Sequence, residues 1–389
     1  MNLSEILNEL GEDRENYYNA VSPPILQTSN FAFRDVASLR TAMQDEYRWN
    51  LYTRGNNPTV TILRKKIAAL DQAEDALILS SGIAAVFLSV FANVKQGDHV
   101  VSVARPYPWT DKMFQNLLPR FGVTATMIDG TQIRNWENAL QPDTKIFFLE
   151  SPNSLTFELQ DLEAISKLAQ SRGILTIIDN SYCSPLYQQP LSYGIDLSVQ
   201  TATKYLSGHS DVVAGVITGS SEMIARMFRS DFMNVGAIVS PFNAWLMLRS
   251  LRTLEIRLER IANSTERVAA FVESHPRIER IFYPFSESFA QVRLARKQMK
   301  RAPGLFSAVL KSGSVSQVEK FCNSLKHFLM AVSWGGHESL IFPSCARIES
   351  GKFDPSDFNH RLIRFYIGLE DPDLLIGDIG QALAQLHSS

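Results

Sequence analysis

The amino-acid sequence predicts an α/β fold in which helices cover both faces of a mainly parallel sheet, as a three-layer sandwich, followed by a smaller α/β domain. Short apolar strands alternate with helices between residues 58 and 204, which is the pattern of a parallel sheet. After Pro241 a long helical stretch rich in Arg and Leu begins. At 389 residues, the chain exceeds the size at which one hydrophobic core usually stops growing. We therefore expect an N-terminal arm over 1–50, a main domain over 51–240 and a C-terminal domain over 241–389.

The N-terminal half begins with an irregular arm and then becomes periodic. Residues 1–50 show no sustained period, and Pro23-Pro24 would interrupt any helix there. Apolar residues at helical spacing from Val60 to Leu70 predict an amphipathic helix. Strands are predicted over 76–79 and 99–103, with an apolar helix between them that opens with Ser80-Ser81-Gly82. This is a strand–helix–strand unit.

The alternation continues with strands over 145–149 and 174–178, a helix over 162–170 between them, and a short strand over 197–200. Ligands of parallel sheets bind beyond the carboxyl ends of the strands. Residues that could bind a ligand follow the predicted strands, and we expect them to share one crevice. They are Ser80 to Ile83, Tyr107, Glu150 to Ser154, Asp179, and Thr201 to Lys204.

Composition excludes several classes of protein. Hydrophobic residues make up 45% and charged residues 20%, as in ordinary globular chains. With a formal net charge of −2 and no block of Lys and Arg, a nucleic-acid partner is not expected. No apolar run reaches the roughly 20 residues of a membrane span, and no export signal is recognisable. Cys183, Cys322 and Cys345 lie far apart without metal-ligand spacing, so we predict reduced thiols, no metal site and a cytoplasmic protein.

Three of the strand-end features together indicate a pyridoxal phosphate site. The amine of Lys204 can bond covalently to an aldehyde, and a carboxylate such as Asp179 can hold a pyridine nitrogen protonated. Ser81-Gly82-Ile83 at a strand-to-helix junction offers backbone N–H groups to a phosphate. Taken alone, the lysine is more typical of a surface residue, the aspartate of a strand cap, and the Ser-Gly turn of an ordinary helix start. Their combination carries the prediction.

Other residues could complete this site. Thr201 and Thr203 could add hydroxyl groups, and Arg54 a bidentate positive charge, to the phosphate. Tyr107 could stack on a flat ring, although a single tyrosine is usually a packing residue.

Further motifs follow one another from Tyr52 to about Leu386. They are Tyr52-Thr53-Arg54 with Asn57-Pro58-Thr59, Ser81-Gly82-Ile83-Ala84-Ala85, Gly97-Asp98-His99-Val100, Glu150-Ser151-Pro152, Asp179-Asn180-Ser181, Thr203-Lys204-Tyr205 with Gly208-His209-Ser210-Asp211, Gly335-Gly336-His337-Glu338-Ser339-Leu340, and Arg364 ahead of Ile367-Gly368-Leu369-Glu370-Asp371. This ordered series resembles the pyridoxal-phosphate enzymes of cysteine and methionine metabolism, the trans-sulfuration enzymes, which include cystathionine β-lyase, γ-lyase and γ-synthase. The resemblance implies the aminotransferase-like fold known as fold type I, with the cofactor in the domain over 51–240.

The resemblance also assigns roles to individual residues. It implies that Lys204 is the Schiff-base lysine and the catalytic base, that Asp179 is the partner of the pyridine nitrogen, and that Tyr107 stacks on the ring beside the reaction centre. Phosphate contacts would come from Gly82, Ile83, Thr201 and Thr203, with Tyr52 and Arg54 of a neighbouring subunit. Arg364, helped by Ser333, would bind the substrate α-carboxylate. A homodimer with shared active sites, doubled to a tetramer, is therefore expected.

Within the family, three features favour the bacterial cystathionine β-lyases. Trp334 stands where γ-acting enzymes usually have Leu, and in the β-lyases this residue faces the substrate. Val332 replaces the Glu that γ-lyases and γ-synthases tend to have at this position, and the segment 150–158 lacks their Asn-Pro. The predicted reaction is β-elimination of L-cystathionine to homocysteine, pyruvate and ammonia, a step of methionine biosynthesis.

Other features depart from the β-lyase pattern. The segment 52–59 is closer to the γ-acting enzymes, and Ile83 and Thr201 are variant phosphate-loop residues. A γ-lyase, γ-synthase or cysteine desulfhydrase is the alternative, and a non-catalytic protein that binds the cofactor is a more remote one. Trp109 either narrows the entrance to the site or packs in the core. His209 and His337 are expected to serve local structure.

Overall fold

The computed structural model describes residues 1–349 and 351–386, which form two compact units. Unit 1 comprises Met1–Ser151, Gln160–Ser207 and Asp211–Thr253. Unit 2 comprises Pro152–Leu159, Gly208–Ser210 and Leu254–Ser389. The domain boundaries expected from the sequence stay a prediction. No helix among the described residues is long and apolar enough to cross a membrane.

Unit 1 contains a seven-stranded sheet with the strand order β1-β7-β6-β5-β4-β2-β3. Its strands are β1 (Asp75–Leu79), β2 (His99–Val103), β3 (Thr124–Ile128), β4 (Thr144–Glu150), β5 (Leu175–Asp179), β6 (Leu197–Gln200) and β7 (Gly215–Gly219). Strand β7 is antiparallel to both of its neighbours, whereas all other pairs in the sheet are parallel. The prediction of a mainly parallel sheet is therefore confirmed. Strands β3 and β7 have no counterpart among the predicted strands.

The helices of unit 1 precede β1, lie between successive strands or follow β7. They are α1 (Leu3–Asn8), α2 (Val36–Gln44), α3 (Pro58–Leu70), α4 (Gly82–Phe91), α5 (Pro108–Lys112), α6 (Ile133–Asn138), α7 (Leu162–Arg172), α8 (Ser184–Tyr187), α9 (Ser221–Met227), α10 (Met233–Val235) and α11 (Pro241–Leu251). The periodic stretch that predicts a helix up to Leu70 is α3, where Asn57 caps the first turn and Pro58 opens it. The helix predicted over 162–170 is α7, which Asp161 caps.

Burial explains why the strands are continuously apolar. Neighbouring residues of β4 point to opposite faces of the sheet. Ile146 and Phe148 belong to one buried cluster, whereas Phe147 and Leu149 belong to another. Both faces are therefore covered, as the sequence predicts for a parallel sheet.

The N-terminal arm is attached to α3 by a buried ionic cluster. Lys66 and Glu12 have side chains with no exposed surface, and Lys66 Nζ lies 3.2 Å from Glu12 Oε1. The same ammonium donates hydrogen bonds to the carbonyl oxygens of Ile6 and Leu7, at 3.0 and 3.2 Å. Burial lowers the pKa of Lys66, and the charge of Glu12 opposes this. Arg252 also contacts Glu12, at 3.2 Å.

Unit 2 contains a five-stranded sheet with the order β10-β11-β12-β9-β8. Its strands are β8 (Ile278–Phe282), β9 (Leu305–Leu310), β10 (Leu329–Met330), β11 (Leu340–Pro343) and β12 (Leu362–Tyr366). Only the β10–β11 pair is parallel. The helices are α12 (Leu254–Ser274), α13 (Val292–Gln298), α14 (Val315–Ser324), α15 (Phe358–Arg361) and α16 (Pro372–Ala384). In its core, the rings of Phe306 and Phe365 stack with centroids 5.0 Å apart.

Candidate active site

Six parallel strands of unit 1 end at the same edge of the sheet. Strands β1 to β6 run in one direction, so the residues that follow them lie along this edge. In the strand register, Glu150 of β4 lies opposite Asp179 of β5. Asp179 in turn lies opposite Val199 of β6, the strand that precedes the turn containing Lys204. Of the residues that the sequence predicts to share a crevice, Glu150 and Asp179 therefore lie side by side at this edge, next to the strand that leads to Lys204.

A close contact between Gly82 and Thr201 forms one end of this edge. Helix α4 begins at Gly82, and the Ser81 hydroxyl accepts a hydrogen bond from the N–H of Ala84 at 3.2 Å. A Cβ atom at Gly82 would lie 2.0 Å from Thr201 Oγ1, so no larger residue fits without displacement. The first turn of α4, where Ile83 is half-buried, therefore lies directly against a hydroxyl group. N–H groups at a helix start, a hydroxyl and a missing Cβ fit a phosphate group.

Asp179 is the last residue of β5 and is 7% exposed. Burial raises its pKa, whereas hydrogen bonds from Ser181 and the positive charge of Lys204 lower it, and the net shift is upward. Its Oδ1 atom accepts a hydrogen bond from the Ser181 N–H at 2.9 Å. A buried carboxyl group of this kind fits a protonated ring nitrogen, because a buried charge requires a partner.

Lys204 lies in the turn after β6, four residues beyond the last residue of that strand, Gln200. Its backbone N–H donates to the carbonyl of Thr201 at 3.1 Å, and its side chain is half-buried. Because its charge acts on Asp179, the amine and the carboxyl group belong to one electrostatic site.

Thr203 lies at the same turn, but its hydroxyl contacts the protein backbone. Thr203 Oγ1 donates to the carbonyl of Ala214 at 3.2 Å and accepts from the N–H of Ala214 at 3.0 Å. The hydroxyl proton therefore points to a carbonyl group. A phosphate contact through Thr203 Oγ1 would require that bond to be exchanged.

Tyr107 immediately precedes α5, and its side chain is 45% exposed. Its N–H donates to Glu150 Oε2 at 2.6 Å. Burial, then the negative charges of Asp179 and Glu150, raise the pKa of its phenol. This residue is therefore close to the Asp179 carboxyl group, with a ring surface available for stacking.

Trp109 is a surface residue. Its side chain is 57% exposed, and Lys112 Nζ lies 4.4 Å from the centroid of its ring. The interpretation of Trp109 as a core residue is therefore wrong, because a core residue would be shielded from solvent. A role at the entrance to the site stays a prediction.

Tyr52 and Arg54 are both exposed, and the Arg54 guanidinium lies 5.6 Å from the centroid of the Tyr52 ring. Arg54 also lines a cavity of about 450 Å³, together with Tyr47, Arg229 and Met233. Their role at the phosphate of a neighbouring subunit stays a prediction.

Unusual backbone conformations follow several of the strands that end at this edge. Arg105 comes shortly after β2 with φ 55°, Leu155 and Phe157 follow β4 with φ 67° and 57°, and Ser184 follows β5 with φ 57°. Left-handed backbone at residues with a Cβ atom is energetically unfavourable and is frequent at functional sites. Sequence reasoning missed this feature because none of these residue types favours a positive φ.

In unit 2, Arg364 lies on β12, and its Nη2 atom donates to the carbonyl of Ser333 at 2.8 Å. Burial and, to a lesser extent, the charge of Arg347 lower its pKa to about 10. A guanidinium that has lost water is suited to a carboxylate partner. Val332 is 72% exposed and Trp334 is half-buried.

From the sequence, His337 and His209 are both expected to serve local structure. His337 Nδ1 lies 3.2 Å from Glu338 Oε2, and Glu338 also binds the hydroxyl of Ser210 at 2.6 Å. These contacts agree with a local structural role for His337. His209, in the Gly208–Ser210 segment, is half-buried.

Comparisons with known proteins identify the family of the chain. The family model described as Cys/Met metabolism PLP-dependent enzyme matches residues 6–384. The L-methionine gamma-lyase of Treponema denticola is 37% identical over 96% of this chain and 94% of that protein. Cystathionine gamma-lyase of Mus musculus is 35% identical over 86% and 85%, and the L-alanine/L-glutamate racemase of Wolbachia pipientis is 32% identical over 99% and 98%.

The fold is shared with a solved relative. The crystal structure of metB from Corynebacterium glutamicum superposes with a TM-score of 0.92 at 32% identity, covering 100% of this chain and 99% of that one. Fold type I and the requirement for pyridoxal phosphate, both predicted from the sequence, are thereby confirmed. The chain belongs to the pyridoxal-phosphate-dependent enzymes of cysteine and methionine metabolism.

Proposed function

We propose that this protein is a carbon–sulfur lyase that acts on a sulfur amino acid by γ-elimination, with L-methionine as the first candidate substrate. The class of enzyme is supported by relatives that are named as methionine and cystathionine γ-lyases. The observation that carries the choice of substrate is the exposed, uncharged side chain of Val332.

Unit 1 supplies the residues that would hold the cofactor. Gly82, Ile83 and Thr201 would contact the phosphate, with Thr203 supporting the turn, and Tyr107 would lie on the ring. When bound, pyridoxal phosphate supplies an aldehyde for the substrate amine and a ring that accepts electrons from Cα. Asp179 would keep the ring nitrogen protonated, because a carboxylate stabilises the adjacent positive charge.

Lys204 is proposed to move the protons. Its amine, displaced by that of the substrate, would remove the proton from Cα and deliver it to a neighbouring carbon or to the departing sulfur. One base at a fixed position can serve consecutive transfers because the carbons involved are adjacent.

Arg364 is proposed to bind the α-carboxylate of the substrate, assisted by Ser333. Its desolvated guanidinium favours an anion more strongly than an exposed arginine would. A carboxylate held at two points would also orient the Cα–H bond.

Val332 distinguishes between substrates by charge. Cystathionine has a second ammonium group at its distal end, and a Glu at this position could pair with it. A valine cannot, whereas the methyl thioether of methionine needs no such partner. The exposed apolar side chain therefore fits a substrate with an uncharged distal end.

Cystathionine β-cleavage is the second candidate. It is supported by Trp334 and by the segment 150–158, which follow the β-lyase pattern in the sequence. Cleavage of cystathionine at the β-carbon requires no distal acid, so Val332 is compatible with this reaction as well.

Two broader proposals accompany these reactions. The protein is proposed to be a dimer, or a pair of dimers, in which Tyr52 and Arg54 reach the phosphate of the neighbouring subunit. We also propose a cytoplasmic location, which is supported by three buried cysteines without disulfide bonds.

Product analysis of the purified protein with its cofactor tests the reaction. Methionine should yield 2-oxobutyrate, methanethiol and ammonia. Cystathionine should yield pyruvate and homocysteine by β-cleavage, or 2-oxobutyrate and cysteine by γ-cleavage. Exchange of the Cα proton with deuterated water, without any oxo acid, would instead indicate a racemase and would refute the lyase proposal.

A further inference from the structure

Ser181 contacts both halves of the candidate cofactor site. Its N–H donates a hydrogen bond to Asp179 Oδ1 at 2.9 Å. Its hydroxyl oxygen accepts a hydrogen bond from the N–H of Thr201 at 2.6 Å, and its side chain also hydrogen-bonds the carboxyl group of Asp179. Thr201 in turn lies against Gly82. One half-buried serine therefore connects the carboxyl group at the end of β5 with the helix start at the phosphate end.

We propose that Ser181 is a positioning residue for the cofactor, which holds the Asp179 carboxylate and the Thr201 backbone at a fixed separation. This inference rests on the proposed function, in which Asp179 meets the ring nitrogen and Thr201 meets the phosphate. Both groups belong to one small, nearly rigid molecule, so the protein atoms that bind them must keep a constant distance. A serine hydrogen-bonded to both sides meets this requirement because neither side can shift alone.

The hydrogen bonds of Ser181 also act on the charge of Asp179. Burial favours the neutral carboxyl group, whereas the backbone and side-chain bonds from Ser181 favour the carboxylate. Other ionisable groups close to Asp179 are Lys204, whose charge favours the carboxylate, the phenol of Tyr107, and Glu150, its register partner on β4. Ser181 differs from these groups because it stabilises the carboxylate without carrying a charge.

A structural serine elsewhere in unit 1 provides a matched control. Ser166, on α7, is buried, and its hydroxyl donates to the carbonyl of Tyr193 at 2.6 Å. It connects two segments as Ser181 does, but the groups it joins are a helix and a backbone carbonyl. Removing its hydroxyl should lower stability without changing the cofactor site.

The experiment compares Ser181→Ala, Ser181→Cys, Ser181→Thr and Ser166→Ala as purified proteins. Equilibrium dialysis gives the Kd for pyridoxal phosphate across the neutral pH range, and thermal unfolding is measured without cofactor. Loss of a hydrogen bond to a charged group should raise the Kd of Ser181→Ala and Ser181→Cys by about tenfold or more. Ser181→Thr, which keeps the hydroxyl, should recover most of the affinity.

The pH profile separates positioning from a general loss of stability. Without the Ser181 side chain, the pKa of Asp179 should rise, because a hydrogen bond to the carboxylate is lost. As the pH falls, cofactor affinity should therefore decline at a higher pH in Ser181→Ala than in the parent protein. Ser166→Ala should lower the unfolding temperature and leave both the Kd and its pH profile unchanged.

An unchanged Kd and pH profile in Ser181→Ala and Ser181→Cys would overturn the inference, as would equal effects of Ser181→Ala and Ser166→Ala. If the alanine variant does not fold, the Kd of the nearly isosteric Ser181→Cys variant tests the inference instead, because a thiol is a weak hydrogen-bonding group. Binding measurements need no substrate. A parent protein that binds no pyridoxal phosphate would refute the proposed function, whereas normal binding in all Ser181 variants would refute only this inference.

Discussion

Gly82 and Thr201 are in such close contact that a methyl group on Gly82 would lie 2.0 Å from the threonine hydroxyl oxygen. The two residues are 119 positions apart, and each follows a different strand of the same sheet. Their contact joins the start of α4 to the turn that carries Lys204. Because Gly82 has no side chain, the start of α4 packs directly against Thr201, and we propose that both contact the phosphate of the cofactor.

Gly82→Ala should weaken cofactor binding strongly and destabilise the protein by about 1 to 3 kcal/mol, because the added methyl group forces Thr201 away. Equilibrium dialysis with pyridoxal phosphate and urea unfolding measure the two effects. Gly377→Ala is the matched control, since the new methyl group on α16 would enter open space. This control should keep the affinity and raise stability by up to about 1 kcal/mol. Equal affinities in the two variants would contradict the phosphate assignment.

Lys204→Ala should abolish both turnover and the absorbance band of the lysine-linked cofactor, because the covalent link to the aldehyde is lost. Absorbance spectroscopy of the purified variant, before and after addition of pyridoxal phosphate, measures this. Lys112→Ala, which changes an exposed lysine beside Trp109, is a control for general loss of charge. Normal activity in the Lys204 variant would refute the catalytic assignment.

Arg364→Ala should raise KM strongly and lower kcat/KM, with the cofactor still bound. The reason is that the substrate loses the partner of its α-carboxylate, whereas the cofactor contacts proposed for unit 1 are untouched. Arg364→Lys should recover only part of the loss, because an ammonium group cannot make the bidentate contact. Steady-state kinetics and the cofactor absorbance separate the two effects. Loss of cofactor instead of substrate affinity would show that the role of Arg364 is misassigned.

Val332→Glu should lower kcat/KM for methionine and raise it for cystathionine, because the new carboxylate can pair with the distal ammonium of cystathionine. Paired assays of 2-oxobutyrate and pyruvate release from both substrates would reveal the change. Val332→Gln is the uncharged control and should give a smaller shift. If neither substrate responds to the acid, Val332 does not determine specificity.

Glu12→Gln should destabilise the protein by about 3 to 5 kcal/mol, because Lys66 and Arg252 would lose the anion that balances their charges. Urea unfolding of the protein without cofactor measures the difference in the free energy of unfolding. Glu9→Gln, at an exposed position of the same arm, should change stability by less than about 0.5 kcal/mol. Equal stability of the two variants would mean that the buried cluster does not anchor the arm.

Much of the fold follows from local pattern. Continuous apolar runs such as residues 145–149 and 174–178 predict buried parallel strands, and the structure has them as β4 and β5. Because parallel strands end at one edge, the grouping of Asp179 and Lys204 also follows from the sequence. Strand β7 was not predicted, since a five-residue strand that runs antiparallel between β1 and β6 leaves no distinctive local signal.

The sequence by itself determined the fold class, the cofactor and the family of this protein, because apolar periodicity and ordered motifs are local properties of the chain. The tertiary structure decided the hydrogen-bond partners and the solvent exposure of the predicted residues. It turned the hydroxyl proton of Thr203 towards Ala214, placed Trp109 on the surface and brought Ser181 between Asp179 and Thr201. These contacts depend on strand order and register, which bring together residues that are distant in sequence. The spacing of residues along the chain therefore cannot predict them.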